Sequence, residues 1–161
     1  MKRNFTFKSK SFLLFLLSLL ALVGCNKNKE GQGTGNDTPG TNNSSLVNQW
    51  CLVSWDEQAP EFNVYLAFKA DGSFDIYQQV WNLTYDHFTG AYATNSDVVT
   101  GRYSYGDNWA CGYRFEVADG VLTLYSQEDV SITSVYEICT IPQEVIAEAD
   151  ATRATDVAPL L

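Results

Sequence analysis

The sequence predicts an all-β domain of eight short antiparallel strands after residue 45. The first observation is alternation: from Trp109 to Val117 the odd positions are apolar or aromatic and the even positions are small or charged, as in a half-buried strand. The second is turn chemistry, which recurs roughly every 8 to 12 residues as in antiparallel domains. Crossover helices would need long helical stripes between the strands, and the sequence has none, so a parallel sheet is excluded.

The strands are predicted at residues 46–55, 63–69, 73–80, 87–93, 98–104, 109–117, 121–126 and 131–140. Residues 70–72 and 118–120 are tight hairpin turns, because each ends in a Gly that adopts positive φ readily. After the last strand, Thr140-Ile141-Pro142-Gln143 has the form of a capping box and predicts a short helix through about Ala149. Eight strands joined mostly by hairpins can close into an up-and-down barrel without free edges, although alternation alone fits a sandwich equally well.

Residues 1–24 are predicted to be an export signal that is removed. Four Lys or Arg residues lie within residues 1–10, and the apolar run at 12–23 is too short to span a bilayer. The run ends in Leu22-Val23-Gly24-Cys25, which resembles the lipobox of bacterial lipoproteins. That resemblance implies that Cys25 receives a diacylglyceryl group and, with further acylation such as palmitate, becomes the first residue of the mature protein.

Residues 25–45 are predicted to be a lipidated, flexible tether. No bulky apolar residue lies between 26 and 45, so this segment cannot bury enough surface to offset its ordering entropy. Two or three acyl chains on one residue hold a protein on a membrane without crossing it. Asn26 follows the Cys where, by resemblance to the Gram-negative sorting rule, Asp would retain the protein at the inner membrane. The outer membrane of the cell envelope is therefore predicted, on either its periplasmic or its surface face.

The remainder is predicted to form one domain at residues 46–150 and a C-terminal tail at 151–161. Without the signal, six Lys and Arg residues face 19 Asp and Glu residues, a net charge of −13. Such an acidic surface repels phosphate backbones, so nucleic acid is excluded as a partner.

Four stretches within residues 46–147 are informative together: LVNQWCLVSW, VYLAFKADGSFDIY, GAYATNSDVVTGRYSYGDNWACGYRFEVADGVLTL and YEICTIPQEV. They resemble the lipocalin-like domain of small Gram-negative bacterial lipoproteins, a calycin-type barrel. The resemblance implies a closed barrel of unassigned activity. Lipocalins proper share a Gly-x-Trp on the first strand and a late Arg, whereas this chain has Asn48-Gln49-Trp50 and no Arg on its last strand, so a different barrel floor is expected.

A barrel of this size holds either its own side chains or one small ligand. If Trp50 and Leu52 point inward, strand parity predicts the inner face. The remaining members of this face are Val64, Leu66, Phe68, Phe74, Ile76, Phe88, Tyr92, Tyr103, Tyr113, Phe115, Leu122, Leu124, Tyr136 and Ile138. A small apolar ligand would contact rings and a few polar groups. The candidate ligand-binding residues are Trp50, Phe68, Gln78, Tyr92, Tyr103, Tyr113, Ser134 and Tyr136. The alternative is an interior that these side chains simply fill.

Three cysteines remain after Cys25, an odd number, so at most one intramolecular disulfide can form. Cys111 shares its strand face with Tyr113 and is interpreted as a small core residue. Cys51 and Cys139 have outward parity on the first and last strands, which are neighbours in a closed barrel. We therefore predict a Cys51–Cys139 disulfide, with three free thiols as the alternative.

No catalytic residues, metal site or cofactor are predicted, and the protein is not expected to be an enzyme. His87 is the only His and lacks a nucleophile at readable spacing, so it is interpreted as solvated. Asp56-Glu57 and Glu128-Asp129 are interpreted as solvated acidic loops rather than calcium ligands.

An alternative function is recognition of a glycan or an envelope protein by aromatic rings on the outside of a filled barrel. The candidate rings have outward parity or lie in loops, and they are Trp55, Tyr77, Trp81, Tyr85 and Tyr105. The opposing interpretation is that these rings cover the outer wall or pack under the helix.

Overall fold

The computed structural model describes residues 43–151 and 157–161. Cys25 and the predicted signal lie outside the described residues. The strands are β1 (Asn48–Trp55), β2 (Asn63–Phe68), β3 (Ser73–Gln79), β4 (Asp86–Asn95), β5 (Val98–Tyr103), β6 (Tyr113–Ala118), β7 (Val121–Ser126) and β8 (Thr133–Ile138). They form a closed barrel in sequence order, in which β8 pairs antiparallel with β1. The predicted all-β, eight-stranded antiparallel barrel with a short C-terminal helix is confirmed.

The two ends of the barrel differ. At one end, the closed end, tight turns follow β2, β4 and β6, and a 3₁₀ turn at Ser44–Leu46 precedes β1. Leu46 and Trp50 are fully buried there, and the Trp50 indole donates a hydrogen bond of 2.9 Å to the Leu46 carbonyl. The Asn43 amide also bonds the Thr94 hydroxyl, so Asn43, which lies before the predicted domain start at residue 46, contacts the barrel.

At the opposite end, which we call the mouth, loops 56–62, 80–85, 104–112 and 127–132 join the strands. The predicted start of the sixth strand at residue 109 is wrong: residues 104–112 are a loop, and β6 begins at Tyr113. Only Val98↔Arg114 and Val99↔Tyr113 pair β5 with β6. Residues 109–112 alternate in sequence as a strand does, but they are not part of the paired strands of the sheet. The Trp109 side chain is buried in the barrel interior.

The interior follows the predicted parity closely. Every residue of the predicted inner face except Ile138 is at most 9% exposed. Ile138 is 51% exposed, which corrects the prediction. It is the last residue of β8, and its amide bonds the carbonyl of Gly120 in the β6–β7 turn, so its side chain lies at the rim of the closed end.

Helix α1 (Gln143–Ala151) packs on the outer wall over β3 and β4. Its buried residues Val145 and Ala149, with Ile141 just before the helix, join Tyr77 and Tyr85 in a second apolar cluster. The helix begins one residue after Pro142, whose carbonyl accepts the Ile146 amide hydrogen bond. Pro142 therefore lies immediately before the helix, which extends to Ala151, two residues beyond the predicted end.

A disulfide joins Cys51 on β1 to Cys139 just after β8, with the two Cα atoms 5.8 Å apart. Cys51 pairs with Glu137 across the seam, and the Cys139 amide bonds the Gln49 carbonyl. The covalent link therefore lies at the closure of the barrel, where strand parity and circular strand order predict it.

Candidate ligand-binding site

The mouth of the barrel is occupied by residues 157–161, which we call the terminal segment. Leu161 is 2% exposed and belongs to the main core cluster, and Val157 and Leu160 pack against that cluster. The predicted tail at 151–161 thus ends in a segment that completes the core. Sequence parity gave no signal for this, because five residues form neither a strand nor a helix pattern.

Gln78 on β3 holds the terminal segment through its carboxamide. Its Nε2 donates to the Ala158 carbonyl at 3.0 Å, and its Oε1 accepts from the Leu160 amide at 2.9 Å. The side chain is fully buried. A buried amide without partners is costly, so these two backbone groups satisfy a polar side chain that the apolar interior could not.

Two further side chains bond the same segment. The Trp81 indole donates to the Ala158 carbonyl at 3.1 Å, and the Tyr103 hydroxyl donates to the Leu161 oxygen at 2.5 Å. Burial, with smaller effects of Tyr105 and Tyr113, raises the pKa of Tyr103 far above its ordinary value. Tyr103 is therefore a fixed hydrogen-bond donor at neutral pH.

The other predicted ligand-binding residues are buried and make no hydrogen bond to the terminal segment among those described. Trp50 closes the opposite end, and the Phe68 and Tyr92 rings contact each other edge to face at 4.9 Å between centroids. The Tyr92 hydroxyl donates to the Lys69 carbonyl at 3.0 Å. Of the predicted set, only Gln78 and Tyr103 are brought together by the terminal segment.

Tyr113, Ser134 and Tyr136 are also buried, on β6 and β8. Burial raises the pKa of Tyr136 to about 12, and its hydroxyl has no hydrogen-bond partner. The Trp109 indole nitrogen is the other buried side-chain atom without a partner among the described residues. Among the described residues, the unsatisfied buried side-chain polar atoms therefore belong to Tyr136 and Trp109, and not to the groups that bond the terminal segment.

Trp109 is a core residue that the predicted inner face omits. It is 5% exposed and packs edge to face on Phe68, Phe74 and Tyr113. A Cβ atom on Gly101 would lie 2.1 Å from the Trp109 ring, so the ring fits only against a glycine. The interior is therefore filled by rings up to the terminal segment.

Two depressions on the barrel surface, of about 460 and 520 Å³, lie over β4 and β5. Ala91 and Arg102 line both, on the outer face of the wall, and both depressions open broadly to solvent. Neither provides an enclosed apolar site, so the volume filled by the terminal segment is the better candidate for ligand binding.

His87 is not simply solvated as predicted. Its ring stacks on Tyr77 at 4.3 Å, and its Nε2 lies 2.9 Å from Asp75 Oδ1. Lys69 Nζ lies 2.6 Å from the other oxygen of Asp75, which is 8% exposed. Burial raises the pKa of the Asp75 carboxyl, but the hydrogen bonds from His87 and Lys69 outweigh burial and hold it below its ordinary value. Because Phe88 points inward, strand parity puts His87 on the outer wall of the barrel. Parity does not show that Tyr77 and Asp75 contact the imidazole ring there.

Replacing Asp75 by Asn is expected to lower the free energy of unfolding by about 1–3 kcal/mol at neutral pH, because the buried group loses its negative charge and one of its two acceptor oxygens. The folded-state pKa lies below the unfolded value near 3.9, so the stabilisation is present above that pH and is lost as the pH falls through the folded pKa. Urea titrations between pH 3 and pH 7 measure this. The difference between D75N and the parent chain should be constant above about pH 5 and shrink below about pH 4.

The matched control is Asp119→Asn in the exposed β6–β7 turn, where a change within about 0.5 kcal/mol is expected. An Asp75→Asn effect that does not shrink in acid would contradict the assignment of its stability to the carboxylate.

The acidic pairs that the sequence offers as calcium ligands lie in mouth loops. Asp56 and Glu57 both adopt positive φ in a tight turn that Trp55 and Gln58 close by mutual backbone hydrogen bonds. Asp129 accepts bonds from Ser131 in its own loop. Cys111 is half-buried, with its sulfur 3.4 Å from the Ser126 hydroxyl. In the described ranges, His, Cys, Asp and Glu residues do not gather in threes as a metal ion would require.

The outward aromatic rings divide into two groups. Tyr77 and Tyr85 are buried beneath α1, and Trp55 is half-buried against Phe62. Trp81 and Tyr105 are 60% and 57% exposed, both on mouth loops, and Tyr105 stacks on Tyr103 at 5.2 Å. Tyr77, Tyr85 and Trp55 therefore pack against the barrel or under the helix, as the opposing interpretation expects. Of the five candidate rings, Trp81 and Tyr105 are exposed enough for surface recognition.

Comparison with known proteins identifies no family. No protein-family model matches the sequence, and none of the curated proteins is similar to it. Within residues 43–151 and 157–161, no helix has the length and apolar character needed to cross a bilayer.

Proposed function

We propose that this protein is a lipid-anchored, lipocalin-like lipoprotein of the cell envelope that binds a small apolar ligand at the mouth of its barrel and catalyses no reaction. Cys25 carries the lipid, and residues 26–42 link it to the closed end of the barrel, where the described chain begins at Asn43. The outer membrane is the proposed location.

The observation that supports ligand binding is the bonding of the terminal segment. Gln78 and Tyr103 satisfy their polar groups on this segment instead of on the barrel wall. If the segment leaves, an apolar recess with two converging polar groups remains, which is the usual composition of a small-molecule site. The same volume is either filled by the segment or available to a ligand.

The test compares the full chain with a variant lacking residues 157–161, using the uncharged fluorescent probe N-phenyl-1-naphthylamine. We expect saturable binding at one site, at least tenfold tighter in the shortened variant because the segment no longer competes. Leu161→Asp keeps the full length of the chain and is also expected to tighten probe binding, because a charge in the core disfavours docking of the segment. Near-ultraviolet circular dichroism verifies folding of both variants. Equal or undetectable probe binding in all three proteins would exclude a site for small apolar molecules at the mouth.

The second candidate is glycan or protein recognition by Trp81 and Tyr105, which the exposure of both rings on neighbouring mouth loops favours. Exposed rings can stack on sugar faces. Retention on immobilised glycans that is lost in Tyr105→Ala, together with an absence of probe binding, would favour this alternative over the apolar site.

A further inference from the structure

The hydrogen bonds described between the barrel and the terminal segment go to the backbone of the segment. The two bonds of Gln78 go to the Ala158 carbonyl and the Leu160 amide, two residues apart, and Trp81 and Tyr103 bond main-chain oxygens. Side chains of the segment contribute only apolar contact. One carboxamide that donates to a carbonyl and accepts from an amide reproduces the pairing that a neighbouring strand would offer.

Pro159 lies between the two groups that Gln78 bonds. Proline has no amide hydrogen, so this position needs no acceptor in the buried mouth. It fixes its own φ and favours an extended conformation for Ala158. The segment therefore loses less conformational entropy on docking than a flexible sequence would.

We propose that the barrel mouth is a peptide-binding site, whose ligand is an extended apolar segment recognised through its backbone, and that residues 157–161 occupy it in cis. This proposal rests on the proposed function because both place the ligand at the mouth, and it names the class of ligand. The ligand presents a carbonyl and an amide two residues apart to Gln78, a second main-chain oxygen to Tyr103, and aliphatic side chains to the core.

The affinity follows from the tether. A segment joined to its site by a short linker has an effective concentration of about 1 mM, so a mostly occupied site requires a dissociation constant below about 1 mM for the same peptide when it is free.

The experiment titrates the acetylated peptide Val-Ala-Pro-Leu-Leu into the variant lacking residues 157–161 by isothermal calorimetry. We expect one saturable site with a dissociation constant below about 1 mM. The same peptide with an N-methyl group on the residue matching Leu160 cannot donate to Gln78 Oε1, and it is expected to bind at least tenfold more weakly. Equal affinity of the two peptides, or no binding of either, overturns the proposal.

A pair of variants separates recognition from general apolar burial. Gln78→Met, which keeps the length but not the polar atoms, should weaken peptide binding at least tenfold. Gln79→Met is the matched control, because the neighbouring Gln79 lies at the surface and bonds Asn63 and the Leu83 carbonyl. It is expected to leave peptide affinity within twofold, and equal weakening by both variants overturns the proposal.

Should the shortened variant fail to fold, hydrogen exchange in the full chain decides the question. The Leu160 amide is expected to exchange at least tenfold faster in Gln78→Met than in Gln79→Met, and equal rates overturn the proposal. Failure of the two proposals is distinguishable. Probe binding without peptide binding retains the apolar site alone, whereas peptide binding without probe binding retains the peptide site alone.

Discussion

A chain in which both Cys51 and Cys139 are replaced by Ala is expected to lose up to about 4.6 kcal/mol of unfolding free energy. The disulfide closes a loop with a sequence separation of 88 residues, and the chain-entropy relation assigns this value to a loop of that length. Marginal domains have only about 5–15 kcal/mol in total, so the loss would bring the protein close to its unfolding threshold. Urea titration of the parent and double-variant chains measures it.

The control for this experiment is Cys111→Ala, which removes the free thiol and its contact with Ser126 but no covalent link. We expect a loss of about 1 kcal/mol or less for this half-buried side chain. Reducing agent should destabilise the parent chain and the Cys111→Ala chain alike and leave the double variant unchanged. A double variant no less stable than Cys111→Ala would show that the seam holds through its strand pairing alone.

Features that repeat along the chain were predictable from the sequence. Period-two alternation predicts the inner face because each strand buries one side, and β7 lies at residues 121–126 as predicted. The disulfide follows from the same parity, since Cys51 and Cys139 both point away from the inner face on strands that only a closed barrel makes neighbours. Such predictions depend on local geometry and on one topological fact, and sequence carries both.

Features that depend on a single distant contact were not predictable. Gln78 is among the predicted ligand-binding residues, but its partners Ala158 and Leu160 are 80 and 82 residues away and carry no periodic pattern. Likewise, His87 had outward parity, yet the stacking of Tyr77 and the carboxylate of Asp75 remove it from open solvent. A possible signal for the mouth was the Val157–Leu161 run itself, which is apolar without being part of any predicted element.

The other large effect is expected at Trp109, where replacement by Ala should cost about 3–5 kcal/mol of unfolding free energy. The ring fills the interior beside a stretch of wall in which β5 and β6 pair at only two positions, so little local structure could compensate for the cavity. Trp109→Phe should cost less, because it retains an aromatic ring and removes an indole nitrogen that has no partner. Leu83→Ala, at a side chain that is 93% exposed, is the control and should change stability by no more than about 0.5 kcal/mol.

A double-mutant cycle with Gly101 identifies the cause of that loss. Gly101→Ala alone should be strongly destabilising, because its Cβ would lie 2.1 Å from the Trp109 ring and the ring would have to move. In the Trp109→Ala background the obstacle is absent, so the same glycine substitution should be nearly neutral, with the two effects coupled by at least about 1 kcal/mol. Urea titrations of the four chains give the coupling directly. Additive effects would mean that the indole does not pack against Gly101.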